Sequence, residues 1–234
     1  MNRKKKTINL TNELLDDIDM AMNDQGFEAE YYLDIVKNEV TFLSDFLEED
    51  IYEEISELLE NDSDGRFRDI PHRFSREGWR QMERFIISLD DIDEKTRDLL
   101  MITIQGRGAF RRFGDAVFEL GLREQWFEFR DRENRKEILD WLLSCDLISE
   151  ADVEKGMQLL EERIAKIKQR EEDQANMKKG ARVRCRDNAG HDGQVTVGDI
   201  YDVLDDRDMQ IDIRIKDDRG KIIWIPKSHF ELVK

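Results

Sequence analysis

The chain holds only two prolines, two cysteines and three histidines in 234 residues, and each scarcity excludes something. Cys145 and Cys185 stand far apart with no Cys-x-x-Cys spacing, so neither a disulfide scaffold nor a zinc ribbon is supported. Both read as small hydrophobes in a reducing compartment. His72, His191 and His229 are scattered, without His-x-x-x-His or His-Glu-x-x-His spacing, so no metal site is expected. Ser144-Cys145 lacks a nucleophile elbow or a paired histidine. No apolar run approaches the ~18–20 residues that cross a bilayer. The basic Met1–Lys6 leads into Thr7-Ile-Asn-Leu10 rather than the apolar core of a secretory signal. The expectation is a cytoplasmic protein with no membrane contact, no cofactor and no assigned catalytic residue. A hydrolase built on paired carboxylates stays open in principle, because acidic residues abound, but no two of them are singled out.

What the chain has is charge: 55 Asp and Glu against 38 Lys and Arg, for a net −17. The excess is local. Positions 11–64 hold nineteen carboxylates and the single cation Lys37, whereas positions 65–145 hold sixteen charges of each sign. Such a block repels nucleic acid and attracts basic surfaces. The plain reading is a solvated face; the sharper one is docking onto a basic surface of another protein, such as one that binds nucleic acid.

Hydrophobic spacing gives the organisation. Thr11 caps a helix carrying Leu14, Leu15, Ile18 and Met22, with Gly26 as its stop. The runs 29–36 and 40–43 around Lys37-Asn-Glu39 read as a β-hairpin. Positions 50–60 read as a helix with Ile51, Ile55, Leu58 and Leu59 on one face and carboxylates on the other, and 66–70 as a short strand. A purely helical region follows. Ser75 caps a run with Trp79, Met82, Phe85 and Ile86, and Asp93 caps one with Leu99, Leu100, Ile102 and Ile104. Ala109–Leu120 turns Phe110, Phe113, Val117 and Leu120 inward, and Glu137–Cys145 is a short helix. Ser149–Asp152 resembles a capping box opening a long charged helix to about Ala175. Its thin stripe (Val153, Leu160, Ile164, Ile167) suits a spacer or a homodimer contact through 149–175. Beyond Gly180 the pattern alternates: 181–186, 195–204, Gln210–Ile215 and 221–225 read as strands of a small closed β-barrel. The fold class expected is α+β: an α-rich domain with a β-hairpin (1–148), a linker helix (149–177) and a C-terminal small β-barrel (178–234).

Two stretches resemble known proteins. Positions from about 29 to 145 carry Y-Y-L-D before a hairpin, S-R-E-G-W-R-Q-M-E-R-F-I, G-R-G-A-F-R-R-F-G-D, W-F-E-F-R-D and I-L-D-W-L, and so resemble the bacterial uncharacterised protein family numbered 0158. That resemblance implies a domain and no activity. The C-terminal T-V-G-D-I-Y, K-D-D-R-G and W-I-P-K-S-H-F-E resemble SH3-like barrels of bacterial and phage proteins, which implies binding of protein or nucleic acid. The two together imply a bacterial or phage origin, and an inhibitor or immunity-type factor in bacterium–phage conflict.

Three groups of residues are candidate sites. In Gln105–Asp115, Gly106 and Gly108 flank Arg107 where a helix opens, and Arg111 and Arg112 follow one turn on. Free N–H groups, the helix dipole and guanidinium forks favour phosphate or carboxylate there. No Lys-Ser/Thr pair makes it a P-loop, and no third glycine makes it a dinucleotide fingerprint. The competing reading, which takes precedence, is a joint between helices whose arginines pair with Asp115, Glu119 or the acidic block. Arg73, Arg76, Arg80 and Arg84 form a basic stripe that docks on helix 50–60; placed beside Arg111 it would instead make a groove for nucleic acid or nucleotide. In the barrel, Tyr201, Trp224, Pro226 and Phe230 would line a peptide groove, suit single-stranded nucleic acid together with Lys221 and Lys227, or simply fill a small core. The function expected is a non-enzymatic interaction or regulatory protein that takes a protein partner. Nucleic-acid binding is the alternative.

Overall fold

The structure, a computed structural model, describes residues 7–24, 29–206 and 211–233. The chain forms two compact units, Met1–Glu161 and Glu162–Lys234. The stop assigned to Gly26 and the beginning of the strand assigned from Gln210 lie outside the described residues.

The first unit runs α1 (Asn12–Asn23), β1 (Ala29–Asp34), β2 (Glu39–Ser44), α2 (Glu49–Glu60), β3 (Phe67–Asp69), α3 (Ser75–Ser88), α4 (Glu94–Thr103), α5 (Ala109–Glu119) and α6 (Arg123–Ser144), and it includes the start of α7 (Glu150–Asn176). Several starts are set by local capping chemistry. Thr11 Oγ1 accepts from the Leu14 amide at 3.2 Å, and Asp93 Oδ1 accepts from that of Thr96 at 2.8 Å. Ser149 and Asp152 cap reciprocally: the carboxylate accepts from the Ser149 amide at 2.9 Å and the hydroxyl from the Asp152 amide at 3.4 Å. Two expectations are corrected. Phe74, not Ser75, occupies the N-cap of α3, which has no side-chain cap bond. The helix expected at Glu137 is the second half of the continuous α6.

The hairpin forms as expected and gains a third strand. The antiparallel order is β2-β1-β3, with Leu33 paired to Val40 on one side and Arg68 on the other. Two hydrophobic clusters fill this unit. One joins α1, the sheet and the end of α6 through Leu15, Ile18, Leu33, Leu139 and Leu142. The other is aromatic: Phe85 lies 6.1, 5.3 and 5.4 Å from the rings of Phe113, Trp126 and Phe129, in edge or tilted arrangements. Phe110, expected inward, is 52% exposed, and Leu99 and Ile102 are exposed while Leu100 and Ile104 are buried. A Cβ on Gly156 of α7 would lie 2.5 Å from Leu139 Cδ2, so the two helices meet where only hydrogen fits. In the α7 stripe, Leu160 and Ile164 are already covered and Ile167 is exposed.

The second unit holds β4 (Arg182–Cys185), β5 (Ile200–Asp202), β6 (Asp205–Asp206), β7 (Asp212–Lys216), β8 (Ile222–Pro226) and β9 (Phe230–Leu232). These strands make two three-stranded antiparallel sheets, β5-β4-β9 and β6-β7-β8. The strands expected at 181–186 and 221–225 form as β4 and β8, and that from Gln210 overlaps β7. The run 195–204 is a strand only over Ile200–Asp202, β6 and β9 were not expected, and, against the expected closed barrel, neither sheet is closed on itself. The sheets share a core of Val183, Val203, Ile213, Ile215, Ile225 and Phe230. Among the described residues no helix is long and apolar enough to cross a membrane.

Candidate functional site

The glycine–arginine turn joins α4 to α5. A helix end leaves its last carbonyls without helical partners, and here the following helix supplies them. Arg112 reaches back so that Nε donates to the Thr103 carbonyl at 3.2 Å, Nη1 to that of Arg107 at 2.5 Å and Nη2 to that of Gln105. One helix earlier the same device recurs: Arg97 of α4 donates to the carbonyls of Ile86, Ile87 and Leu89 at the end of α3. Gly106 (φ 72°) and Gly108 (φ 80°) supply the left-handed backbone that lets the turn close. Arg111 sits 4.0 Å from Asp115, with both side chains largely in water, an ion pair of little energetic weight. Arg107 is exposed. The turn is thus a structural joint in which Arg112 faces the backbone carbonyls of the turn.

The basic stripe is not one surface. Arg73 precedes α3 and is 7% exposed. Its Nε donates to Glu137 Oε2 at 2.7 Å, and its Nη1 to Asp19 Oδ1 at 3.1 Å and Asn23 Oδ1 at 2.6 Å. Arg84 pairs with Glu133 at 2.8 Å, while Arg76 and Arg80 are exposed. The partners therefore lie on α1 and α6, which corrects the expected docking of this stripe on the 50–60 helix. Sequence reading also missed that α1 has two working faces. Opposite its apolar side, Asn12, Asp16, Asp19 and Asn23 recur at intervals of four, three and four. They meet Arg135, Asn134 and Arg73 in a partly buried polar seam. That spacing was visible in the sequence, so part of the acidic block works inside the fold.

The hairpin carries its own lock. Asp34 is buried and accepts from Arg66 at 2.5 Å and from the Val36 and Lys37 amides at 2.9 and 3.1 Å. Burial alone pushes this carboxyl up, but the Arg66 guanidinium and the two amides outweigh it and hold the group below the ordinary range. Arg66 is therefore committed to the hairpin.

Helix α2 is the exception in this unit, because none of its residues is buried. Tyr52, Ile55 and Leu59 are half-covered, while Ile51 and Leu58 are exposed. Nearby, Val36 and Phe42 are exposed and Phe46 is 78% exposed. Two shallow grooves border the helix. One, of about 390 Å³, is lined by Val36, Glu54, Glu57, Leu58 and Asp64; the other, of about 440 Å³, by Tyr32, Leu43, Leu59, Glu60 and Asp69. An apolar strip between rows of carboxylates is what the sequence pattern of α2 produces when nothing covers it.

In the second unit, Tyr201 and Phe230 lie in the core with ring centroids 6.0 Å apart. The Tyr201 hydroxyl donates to Asp218 Oδ1 at 2.6 Å and accepts from the Thr196 amide at 2.8 Å. Trp224 and Pro226 are half-buried. Two of the four groove candidates are thus core residues, as a unit this small requires of its large side chains.

No curated protein and no solved structure matches the chain. A family model does, over residues 6–164, a span that takes in every element of the first unit. The chain belongs to the uncharacterised protein family UPF0158.

Proposed function

We propose that this is a non-enzymatic interaction protein that receives a basic, amphipathic segment of a partner protein on α2 and its two grooves. The observation that carries this reading is the amphipathic helix that buries none of its residues. Apolar side chains left in water mark contact surfaces when they cluster, and Glu53, Glu54, Glu57 and Glu60 fix the sign of the partner's charge. Binding of this kind would occlude the partner's basic surface, an inhibitor-like or regulatory action. We read the Glu162–Lys234 unit as an SH3-like small barrel that adds a second contact; two packed three-stranded antiparallel sheets sharing one core support that assignment. The free thiols of Cys145 and Cys185 support a reducing, cytoplasmic setting.

The test uses the full chain and a synthetic Lys–Leu amphipathic helix, with its Glu–Leu counterpart as control. Fluorescence anisotropy should show binding of the basic peptide only, weakening as salt rises. Glu54→Lys/Glu57→Lys and Leu58→Asp should each weaken it about tenfold or more, since each tenfold corresponds to about 1.4 kcal/mol. Equal binding of both peptides, or indifference to these substitutions, refutes the reading. A single-stranded oligonucleotide bound at about 50 mM salt and released by Arg76→Ala/Arg80→Ala would favour the nucleic-acid alternative.

A further inference from the structure

In the second unit the fold brings together two of the three histidines. His191 lies in the loop between β4 and β5, and His229 in the 3-10 turn Lys227–His229 between β8 and β9. Nothing in their sequence spacing relates them, yet their ring centroids are 5.4 Å apart at 78°. Backbone bonds tie the loop to the turn: the Arg186 and Asp187 amides donate to the His229 carbonyl at 2.8 and 3.3 Å. Within the loop, the Gln194 amide donates to the His191 carbonyl at 2.9 Å, and Asn188 Nδ2 donates to the carbonyl of the core residue Val195 at 3.3 Å. Both rings are thus carried by anchored backbone, and the His229 side chain is only 15% exposed.

Each ring is also held in one tautomer. His229 Nδ1 lies 3.1 Å from the Asp187 carbonyl oxygen, with the carboxylate of the same residue at 3.6 Å. His191 Nδ1 lies 3.2 Å from Gln194 Oε1. A carbonyl oxygen only accepts, so each Nδ1 carries the proton and each Nε2 keeps its lone pair. Among the described residues neither Nε2 has a hydrogen-bond partner.

An imidazole that donates one N–H to a carbonyl or carboxylate and leaves its other nitrogen bare has the arrangement of a metal ligand. The spacing agrees. Bound at ~2.0–2.1 Å to one tetrahedral ion, two imidazoles hold their ring centres about 5 Å apart. Nitrogen donors select a borderline transition metal and leave Mg²⁺ and Ca²⁺, which take oxygen, unfavoured. Among the described residues no third His, Cys, Asp or Glu completes a set of three, so water fills the remaining positions.

We propose that His191 and His229 form a two-imidazole site for a borderline transition-metal ion such as Zn²⁺, which binds both Nε2 atoms and clamps the β4–β5 loop to the turn before β9. Zn²⁺ is the probe, added to the full chain in excess Mg²⁺ so that the harder ion occupies the surface carboxylates. Before zinc is added, long-range proton–nitrogen NMR spectra at about pH 8 should show the Nδ1–H tautomer in both rings. Zinc should then shift both sets of ring signals together and saturate at one ion per chain. The expected Kd is on the order of 10–100 µM, as for half of a structural zinc site. Affinity should fall as pH drops through ~6.5, where imidazole takes up a proton. His72, alone in the first unit with Nδ1 3.0 Å from the Asp24 carbonyl oxygen, is the internal control and should not shift. His191→Gln and His229→Gln should each weaken binding at least tenfold, and the wild-type spectra carry the test whether or not a variant folds. An Nε2–H tautomer in either ring, no saturable shift below about 1 mM zinc, or wild-type zinc affinity in a folded His191→Gln or His229→Gln variant would each overturn the proposal.

Discussion

Replacing Arg73 with alanine removes a buried cation held between α1 and α6. Arg73 donates to two carboxylates and one amide oxygen within 3.1 Å. Truncating one member of a buried ion network commonly costs ~3–5 kcal/mol, because the remaining charges are stranded. Here the Asp19 and Glu137 side chains retain 33% and 42% exposure, so water recovers part of the loss and we expect ~2–3 kcal/mol. Arg73→Lys keeps the charge, but one ammonium cannot span Glu137 on one side and Asp19 with Asn23 on the other; its cost should be ~1–1.5 kcal/mol. Urea unfolding followed by tryptophan fluorescence in a Trp224→Phe background reads the first unit alone, because Trp79, Trp126 and Trp141 all belong to it. The midpoint should fall with the slope unchanged. A loss below about 0.5 kcal/mol for alanine, or a lysine variant as damaging as the alanine one, would refute the argument. Lost anion binding at unchanged stability would instead restore Arg73 to a ligand site.

Three further outcomes follow from other contacts. Gly156→Ala gains about 1 kcal/mol of helix propensity but drives a methyl to 2.5, 3.0 and 3.3 Å from three atoms of fully buried Leu139. It should lower the thermal midpoint of the first unit, whereas Gly114→Ala, with nothing within 4 Å, should raise it; a stabilising Gly156→Ala would contradict the close α6–α7 approach. Asp34→Asn should cost about 2 kcal/mol at neutral pH. Because the Asp34 carboxyl is held below its ordinary value, its contribution is intact above about pH 4 and disappears as pH falls through the lower folded value, so the gap between variant and wild type should close in acid; a constant gap in denaturation curves from pH 7 down to about 2 would rule this out. Tyr201→Phe should destabilise the second unit by ~1–2 kcal/mol. Burial, reinforced by the Asp218 carboxylate, pushes the phenol up to about 12. Its contribution is therefore full below pH ~10 and lost as pH rises toward about 12; phenolate absorbance titrating with an ordinary midpoint would contradict it.

What was legible in the sequence was the chemistry that acts within a few residues. Thr11, Asp93 and the Ser149–Asp152 pair bond to amides three positions away, and the hairpin alternates on its own period. What was not legible depends on which distant group a long side chain meets. Arg73 and Arg112 have the same composition of neighbours as any surface arginine, yet one is held by carboxylates of α1 and α6 and the other by carbonyls at the end of α4. The first half of α6 was missed because Asn134 and Arg135 are buried polar residues that erase its apolar period. Helix α2 shows the reverse. Its apolar face has the spacing of α3, where Met82, Phe85 and Ile86 are buried, but in α2 no residue is. Periodicity states that a face is to be covered and leaves open by what. In α3 the answer lies in α4, α5 and α6. In α2 the half-covered side leans mainly on β2, and Ile51, Leu58 and the adjacent Phe46 keep an apolar surface in water beside Glu54 and Glu57. A marginally stable fold gains nothing from that arrangement by itself. The proposal that a basic segment of a partner docks on α2 rests on that uncovered face and on the carboxylates beside it.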